Sequence, residues 1–199
     1  MLQMNCFVKM IIGFLFLAFD FQIKPGGLTL DIASDIIGYA FIIWSCKETI
    51  EWSPCFKKTR KHAIIALIVH ILSVIAQNIN AGFTIEGTLF GIETIAFIYM
   101  SYYVLEGLYV KNKTEKVYEL NSQLKGAWIA MAVSRFVYCV LTLADLNTIT
   151  EGLGIVGMEG TILTILNAIV FIIEVFFLLS LNQNRMLLEE KKKEGQKSE

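Results

Sequence analysis

Long apolar segments are the feature that most restricts how this chain can fold. Six stretches are mostly apolar and contain about 17 residues or more, which is enough for an α-helix to cross the hydrocarbon core of a bilayer. They cover residues 4–21, 28–46, 63–79, 83–110, 127–146 and 153–181. The first is the weakest candidate, because Lys9 and Asp20 bracket a short core, and we expect Lys9 to reach the interface by snorkelling. The sequence therefore predicts an all-α, polytopic integral membrane protein with six transmembrane helices.

Composition agrees with this class and excludes several others. Of the 199 residues, 55% are hydrophobic and 18% are charged, whereas soluble domains are about 25% charged. Two prolines are too few for a disordered chain, and four cysteines without C-x-x-C spacing indicate neither a zinc site nor a redox pair. A net charge of −1 gives no sign of a nucleic-acid partner. The N-terminus lacks a basic region and a cleavage site, so we expect its apolar segment to be retained as a helix.

Positive charge is confined to alternate connections between the segments. Lys24 lies in the first connection, and it is the one cation in the odd-numbered connections. Fourteen cations lie in the even-numbered connections and the tail: Lys47, Lys57, Lys58, Arg60, Lys61, Lys111, Lys113, Lys116, Lys125, Arg185, Lys191, Lys192, Lys193 and Lys197. Because Lys and Arg near helix ends mark the cytoplasmic side, both termini are predicted to be cytoplasmic. We expect residues 1–182 to form one transmembrane domain and residues 183–199 a charged, solvated tail, and the basic connections to attract anionic lipid.

Polar turns recur where the odd-numbered segments end. Residues 20–22, 78–80 and 145–147 each read acid or amide, apolar residue, amide. We interpret this pattern as three tandem helical hairpins near residues 8–50, 66–108 and 133–176. The polar members are Asp20, Gln22, Asn78, Asn80, Asp145 and Asn147. Three interpretations stay open: these side chains cap helix ends at the interface, where backbone groups lack partners, they form a ring that binds a ligand, or the similarity of the turns arises by chance.

Ionisable residues inside the predicted spans are the candidate functional residues, because each costs at least about 2.5 kcal/mol at mid-membrane and needs a partner or a cavity. Arg135 and Glu174 lie at comparable depths in neighbouring segments, which predicts an ion pair, with Glu93 as the other candidate partner. The buried polar path consists of Arg135, Glu174, Glu93, Glu159, Asn167, Asp35 and His70. Three interpretations of the pair stay open: it fixes helix register, it gates or lines a substrate route, or Arg135 reaches a lipid headgroup. Asp35, Glu93 and Glu159 lie at matching depths, where they line a cation-attracting cavity or are hydrated near the interface. His70 suits an interhelical hydrogen bond or a proton relay.

Small residues recur at helical spacing in three of the segments. Gly38 lies in the second segment, Gly87 and Gly91 in the fourth, and Gly160 and Thr164 in the sixth. Residues of this size allow membrane helices to approach closely, so the spacing predicts close packing, with a substrate path as the alternative.

Motifs for known chemistries are missing from the sequence. It contains no phosphate-binding loop, dinucleotide fingerprint, zinc-protease motif or serine-nucleophile elbow. It also shows no paired acids with a neighbouring histidine, so we assign no catalytic residue, no metal and no cofactor. A membrane-embedded enzyme is therefore the least favoured function.

Two non-enzymatic functions remain. A transporter-like or channel-like protein for a small solute or ion is ranked first, since transporters are often built from internal repeats. The alternative is an accessory or regulatory subunit that docks on a membrane-protein partner or on a second copy of itself.

One segment carries a resemblance to known sequences. Residues 20–23 read D-F-Q-I and residues 31–39 read D-I-A-S-D-I-I-G-Y. They resemble a signature of small, uncharacterised membrane proteins of low-GC Gram-positive bacteria, which often read D-F-x-I and then D-I-L-P-D-F-I-G-Y. Ala33 and Ser34 stand in place of the Leu-Pro pair. The resemblance covers about the first third of the chain and implies a bacterial inner-membrane location and no particular activity.

Overall fold

Helices account for all the regular secondary structure in the described part of the chain. The computed structural model describes residues 2–18, 32–144 and 159–197, with the side chains of residues 6–18, 35–144 and 160–194. The helices are α1 (Leu2–Ala18), α2 (Ile32–Thr49), α3 (Cys55–Asn78), α4 (Phe83–Thr114), α5 (Asn121–Leu143) and α6 (Glu159–Lys197). No strand occurs within these ranges. The all-α prediction is therefore confirmed for the described residues.

Four of these helices, α3 to α6, are long and apolar enough to cross a membrane. α1 contributes a shorter apolar stretch, Cys6–Ala18. α2 has 18 residues, and Asp35, Lys47 and Glu48 are among them, which lowers its apolar character. Six helices therefore match the six predicted segments in position, and four of them have the character of a membrane span.

Contacts between helices follow the order of the chain and close on themselves. Each helix packs on the next one, and α6 also packs on α1, so the six helices form a ring. Phe14 of α1 occupies its interior, with its ring edge-on to Phe97 of α4 at 5.9 Å and to Phe177 of α6 at 5.7 Å between centroids. The outer surface is apolar: Ile68, for example, is 54% exposed. An outer surface of this kind suits a lipid environment.

Glycines set the closest approaches between helices. A Cβ on Gly13 would lie 2.8 Å from the carbonyl oxygen of Gly38, and a Cβ on Gly38 would meet both the Gly13 carbonyl oxygen and Leu17 at 2.8 Å. Gly107 of α4 similarly leaves room for the Phe56 ring of α3, which would lie 2.7 Å from an added Cβ. The prediction of close packing at Gly38 is confirmed.

The small-residue prediction has a mixed outcome in the other helices. It is confirmed at Gly87, where an added Cβ would lie 2.7 Å from Leu143 of α5. It is not supported at Gly160: among the described residues nothing lies within 4 Å of an added Cβ, and Thr164, one turn further on, is exposed and donates to the Gly160 carbonyl oxygen at 2.7 Å. Within the part of the chain that the structure describes, Gly160 and Thr164 therefore take no part in helix packing.

The C-terminal segment continues the last helix. α6 continues without interruption to Lys197, and Asn184 is fully buried. The physical reason is that Leu, Glu, Lys and Arg are good helix formers, and Arg185–Glu189 and Lys191–Glu194 ion pairs lie along the helix surface. Loss of apolar character ends a membrane span without ending a helix.

The turn after α3 closes the helix through its backbone. Asn80 adopts φ 51°, and the amide of Ala81 bonds to the Ala76 carbonyl oxygen at 2.9 Å, which is the hydrogen-bond pattern of a Schellman motif. The side-chain amide of Asn78 donates to the Val74 carbonyl oxygen at 2.8 Å. The other four members of the pattern, Asp20, Gln22, Asp145 and Asn147, lie outside the described residues, so the threefold repeat stays a prediction.

Lys9 has a specific partner on the neighbouring helix. Its Nζ atom lies 2.8 Å from Oε1 of Glu48 and 4.0 Å from the centre of the Trp44 ring. Cys6 donates to the same carboxylate at 2.7 Å. These two hydrogen bonds, from Cys6 and from Lys9, lower the pKa of Glu48, which lies beyond the second predicted span. The charge that weakened the first span therefore joins α1 to α2.

Candidate functional site

A polar cavity of about 250 Å³ lies inside the ring of helices. It occupies the half of the bundle in which α1, α3 and α5 end, and residues of all six helices line it. Six of the seven residues of the predicted polar path are in its wall: Arg135, Glu174, Glu93, Asn167, Asp35 and His70. The seventh, Glu159, is the first residue of α6, and its side chain lies outside the described set. The structure thus brings residues from five separate segments into one site.

The predicted ion pair between Arg135 and Glu174 forms one wall of this cavity. Nε of Arg135 donates to Oε1 of Glu174, which is 5% exposed. The guanidinium also lies 3.7 Å from the centre of the Phe97 ring, and its Nη2 atom is 3.5 Å from the Leu17 carbonyl oxygen. The pair joins α5 to α6, while its additional contacts reach α4 and α1. The prediction of Glu174 as the partner is confirmed, and the alternative partner, Glu93, bonds elsewhere.

Three members of the predicted path, Asp35, His70 and Glu93, form a cluster in the same cavity wall, and the sequence pattern did not predict their mutual contact. Nδ1 of His70 lies 3.1 Å from Oε1 of Glu93 and 3.5 Å from Oδ2 of Asp35. One potential ligand atom from each residue lies within 4.8 Å of the others. The hydroxyl of the buried Tyr39 donates to Oε1 of Glu93 at 3.2 Å. Two acids therefore lie beside a histidine in the folded chain, although the sequence shows no such motif.

The contacts within this cluster depend on how three helices pack together, which the sequence pattern does not show. Asp35, His70 and Glu93 lie on α2, α3 and α4, so no spacing along a single helix connects them. The sequence did indicate that Asp35 and Glu93 lie at similar depths in the bundle, because both are in the half of their helices near the odd-numbered connections. Tyr39, one turn from Asp35 on α2, had no separate signal.

The charged side chains of the cavity wall carry a net negative formal charge. Among the described lining residues, the carboxylates of Asp35, Glu93 and Glu174 face one guanidinium, that of Arg135. With a neutral imidazole at His70, these groups carry a formal excess of two negative charges. A site of this sign attracts cations, and one imidazole with two carboxylates is a donor set that divalent metals use.

The polar turn residues of α3 do not join this site. Asn78 and Asn80 are absent from the cavity wall, whereas Gln77, Ser73 and Val74 of the same helix line it. The hypothesis of a ligand-binding ring of turns is therefore not supported at the one turn that the structure describes.

Comparison with known proteins adds no family and no structural relative. No protein-family model, no curated protein and no solved structure matches the chain. Any assignment of function therefore depends on the chemistry of the cavity.

Proposed function

We propose that this chain is a small transporter-like membrane protein that admits a small solute or ion to the cavity within its helix ring. The cavity itself is the observation that supports this function. A helix bundle needs no ionisable group to fold in lipid, because its backbone is satisfied within each helix. Placing three carboxylates, a guanidinium and an imidazole around one space inside an apolar-surfaced bundle costs free energy. A function that requires water and charge at this depth accounts for that cost.

The proposed topology has six membrane spans with both termini in the cytoplasm. Four spanning helices, together with the positions of α1 and α2 in the ring, support the six spans. The concentration of Lys and Arg at the ends opposite the cavity supports the orientation, which would place the cavity in the outer half of the bundle. The resemblance of residues 31–39 supports a bacterial cytoplasmic membrane.

A second pocket, of about 130 Å³, supports an anionic lipid as a partner. It lies at the other end of the ring, and Lys111, Arg185 and Lys192 are in its wall together with Glu115 and Trp52. The Trp52 indole Nε1 is buried and has no hydrogen-bond partner among the described residues. Basic pockets between helices on the cytoplasmic side suit the phosphate of a lipid headgroup, and the indole N–H is a further donor for it.

The alternative function, an accessory subunit, is favoured by one observation on α5. This helix buries three residues, Leu124, Met131 and Cys139, whereas α3 buries nine. An apolar helix that is buried at so few positions by the described residues suits docking against a second copy or another membrane protein. Cross-linking from exposed Val133 on α5 distinguishes the two functions, because a single discrete adduct favours docking and its absence favours a lipid-facing helix.

Water access to the cavity tests the proposed function. On a background without the four native cysteines, Ser73→Cys places a thiol in the cavity wall, and Ile75→Cys places one on the exposed outer face of the same helix. A hydrated cavity predicts that a membrane-impermeant thiol reagent labels Ser73→Cys, because thiolates form in water, and leaves Ile75→Cys unlabelled in lipid. Equal absence of labelling at Ser73→Cys and at a second cavity position, Asn167→Cys, would contradict a route for solutes.

A further inference from the structure

We infer that Asp35, His70 and Glu93 form a binding site for a divalent transition-metal cation, of which Mn²⁺ and Zn²⁺ are the representatives to test. The inference names the ligand of the cavity, so its role in transport rests on the proposed function. Binding itself does not rest on it and is measured separately.

The geometry of the three side chains suits one ion. With metal–ligand bonds of about 2.1 Å, neighbouring ligand atoms are about 3.0 Å apart in an octahedron and about 3.4 Å apart in a tetrahedron. Nδ1 of His70 lies 3.1 Å from the Glu93 oxygen and 3.5 Å from the Asp35 oxygen. All three atoms lie within 4.8 Å of one another, so small rotations of the two carboxylates bring them around one ion.

Charge supports a divalent ion over a monovalent one. The lining carboxylates exceed the guanidinium of Arg135 by two formal charges, and the Arg135–Glu174 pair is internally neutral. The other two carboxylates, those of Asp35 and Glu93, both face Nδ1 of the His70 imidazole. The charge of a +2 ion matches the formal excess of the described lining residues.

The types of ligand favour a transition metal over Mg²⁺ or Ca²⁺. Mg²⁺ and Ca²⁺ are bound by sets of oxygen atoms, whereas an imidazole suits Zn²⁺ and its neighbours, and carboxylates suit Mn²⁺. His70 is 5% exposed and is part of the cavity wall, so its imidazole faces the cavity rather than bulk water.

The residue behind the cluster matches an outer-shell partner. Tyr39 is 2% exposed, and its hydroxyl donates to Oε1 of Glu93 at 3.2 Å. Hydrogen bonds of this kind orient carboxylate ligands, and their loss typically weakens metal binding about 10–100-fold. Tyr39 is therefore a positioning residue for the site.

A proton shared by His70 and the two carboxylates is the competing explanation of the same contacts. It would tie α2, α3 and α4 together with no metal involved. The two explanations differ in whether the folded protein binds Mn²⁺ or Zn²⁺.

Metal titration of the purified, metal-free protein in detergent tests the inference. Mn²⁺ is followed by the loss of its free electron-paramagnetic-resonance signal, and Zn²⁺ by calorimetry. We expect one bound ion per chain, and a loss of affinity of at least tenfold in Glu93→Gln and in His70→Gln. The matched controls are Glu106→Gln on α4 and His62→Gln on α3, which lie toward the opposite ends of the same helices and should bind like the parent protein.

Tyr39→Phe is a further variant that leaves all three ligands in place. We expect it to bind Mn²⁺ about 10–100-fold more weakly while it remains helical and monodisperse. It keeps the inference testable if His70→Gln or Glu93→Gln fails to fold.

Three results would overturn the inference: no binding of either ion by the folded protein, binding that Glu93→Gln and Tyr39→Phe leave unchanged, or binding that His62→Gln weakens as much as His70→Gln does. Thiol labelling of Ser73→Cys separates this outcome from the proposed function. A labelled cavity without metal binding contradicts the metal site alone, and metal binding in a protein whose cavity is not labelled in the bilayer contradicts the solute route alone.

Discussion

Replacing either residue of the Arg135–Glu174 pair should destabilise the protein, and the two single replacements should differ in their cost. Removing one partner of a buried ion pair costs about 3–5 kcal/mol, because the other charge is left buried without compensation. Arg135→Met leaves the Glu174 carboxylate, whose side chain is 6% exposed, so its cost should be near the upper value. Glu174→Leu leaves a guanidinium that is 22% exposed and still contacts the Phe97 ring and the Leu17 carbonyl, so its cost should be near the lower value. The double variant should recover most of the loss, because apolar residues replace both charges.

Thermal unfolding in detergent, followed by circular dichroism, measures these differences. For a chain of this size, about 3 kcal/mol corresponds to a fall in Tm of about 6–12 °C. Glu194→Leu on α6 is the control, since it breaks an exposed pair with Lys191 that contributes less than about 1 kcal/mol. A single variant that unfolds no earlier than this control, or a double variant that is as unstable as both singles combined, would refute the assignment of a buried, mutually dependent pair.

Three further predictions concern other parts of the bundle. Gly38→Val should separate α1 from α2 and lower the free energy of unfolding by about 1–3 kcal/mol, measured by thermal unfolding. Gly126→Ala, where an added Cβ meets no described atom within 4 Å, should leave stability unchanged. Equal effects of the two variants would contradict the close approach of α1 and α2. Because hydrogen bonds from α1 lower the pKa of Glu48, their stabilisation is present at neutral pH and is lost as the pH falls through that lowered pKa. Glu48→Gln should therefore flatten the acid side of the stability–pH curve, and an unchanged curve would contradict the linkage. Lys111→Gln with Arg185→Gln should reduce co-purified anionic lipid, measured by mass spectrometry, without changing zwitterionic lipid; unchanged anionic lipid would contradict a headgroup site.

Much of the helix order was predictable, because apolar length is a direct consequence of bilayer thickness. Helix ends were less predictable, since a span and a helix obey different rules. α3 begins at Cys55, eight residues before the predicted span, and its first turns contain Lys57, Lys58 and Arg60. α6 likewise continues past Leu181 to Lys197. Charged residues end a membrane span, but Lys, Arg and Glu are good helix formers, so the helix continues in water.

The candidate site was predictable where depth alone decided it. Arg135 and Glu174 pair because adjacent antiparallel helices place equal depths side by side. The grouping of Asp35, His70 and Glu93 depends in addition on the rotation of three helices about their axes. That rotation is set by packing at positions such as Gly38, and no spacing in one segment reports it.

Passage of cations through the reconstituted protein tests the central claim most directly. Uptake of K⁺, Mn²⁺ and Zn²⁺ into proteoliposomes is compared among the parent protein, Glu93→Gln, Glu106→Gln and protein-free vesicles. The account predicts that at least one of these cations enters at least tenfold faster with the parent protein and with Glu106→Gln than with Glu93→Gln. Entry no faster than in protein-free vesicles, from a reconstituted protein that is folded and helical, would contradict a transport route through this cavity.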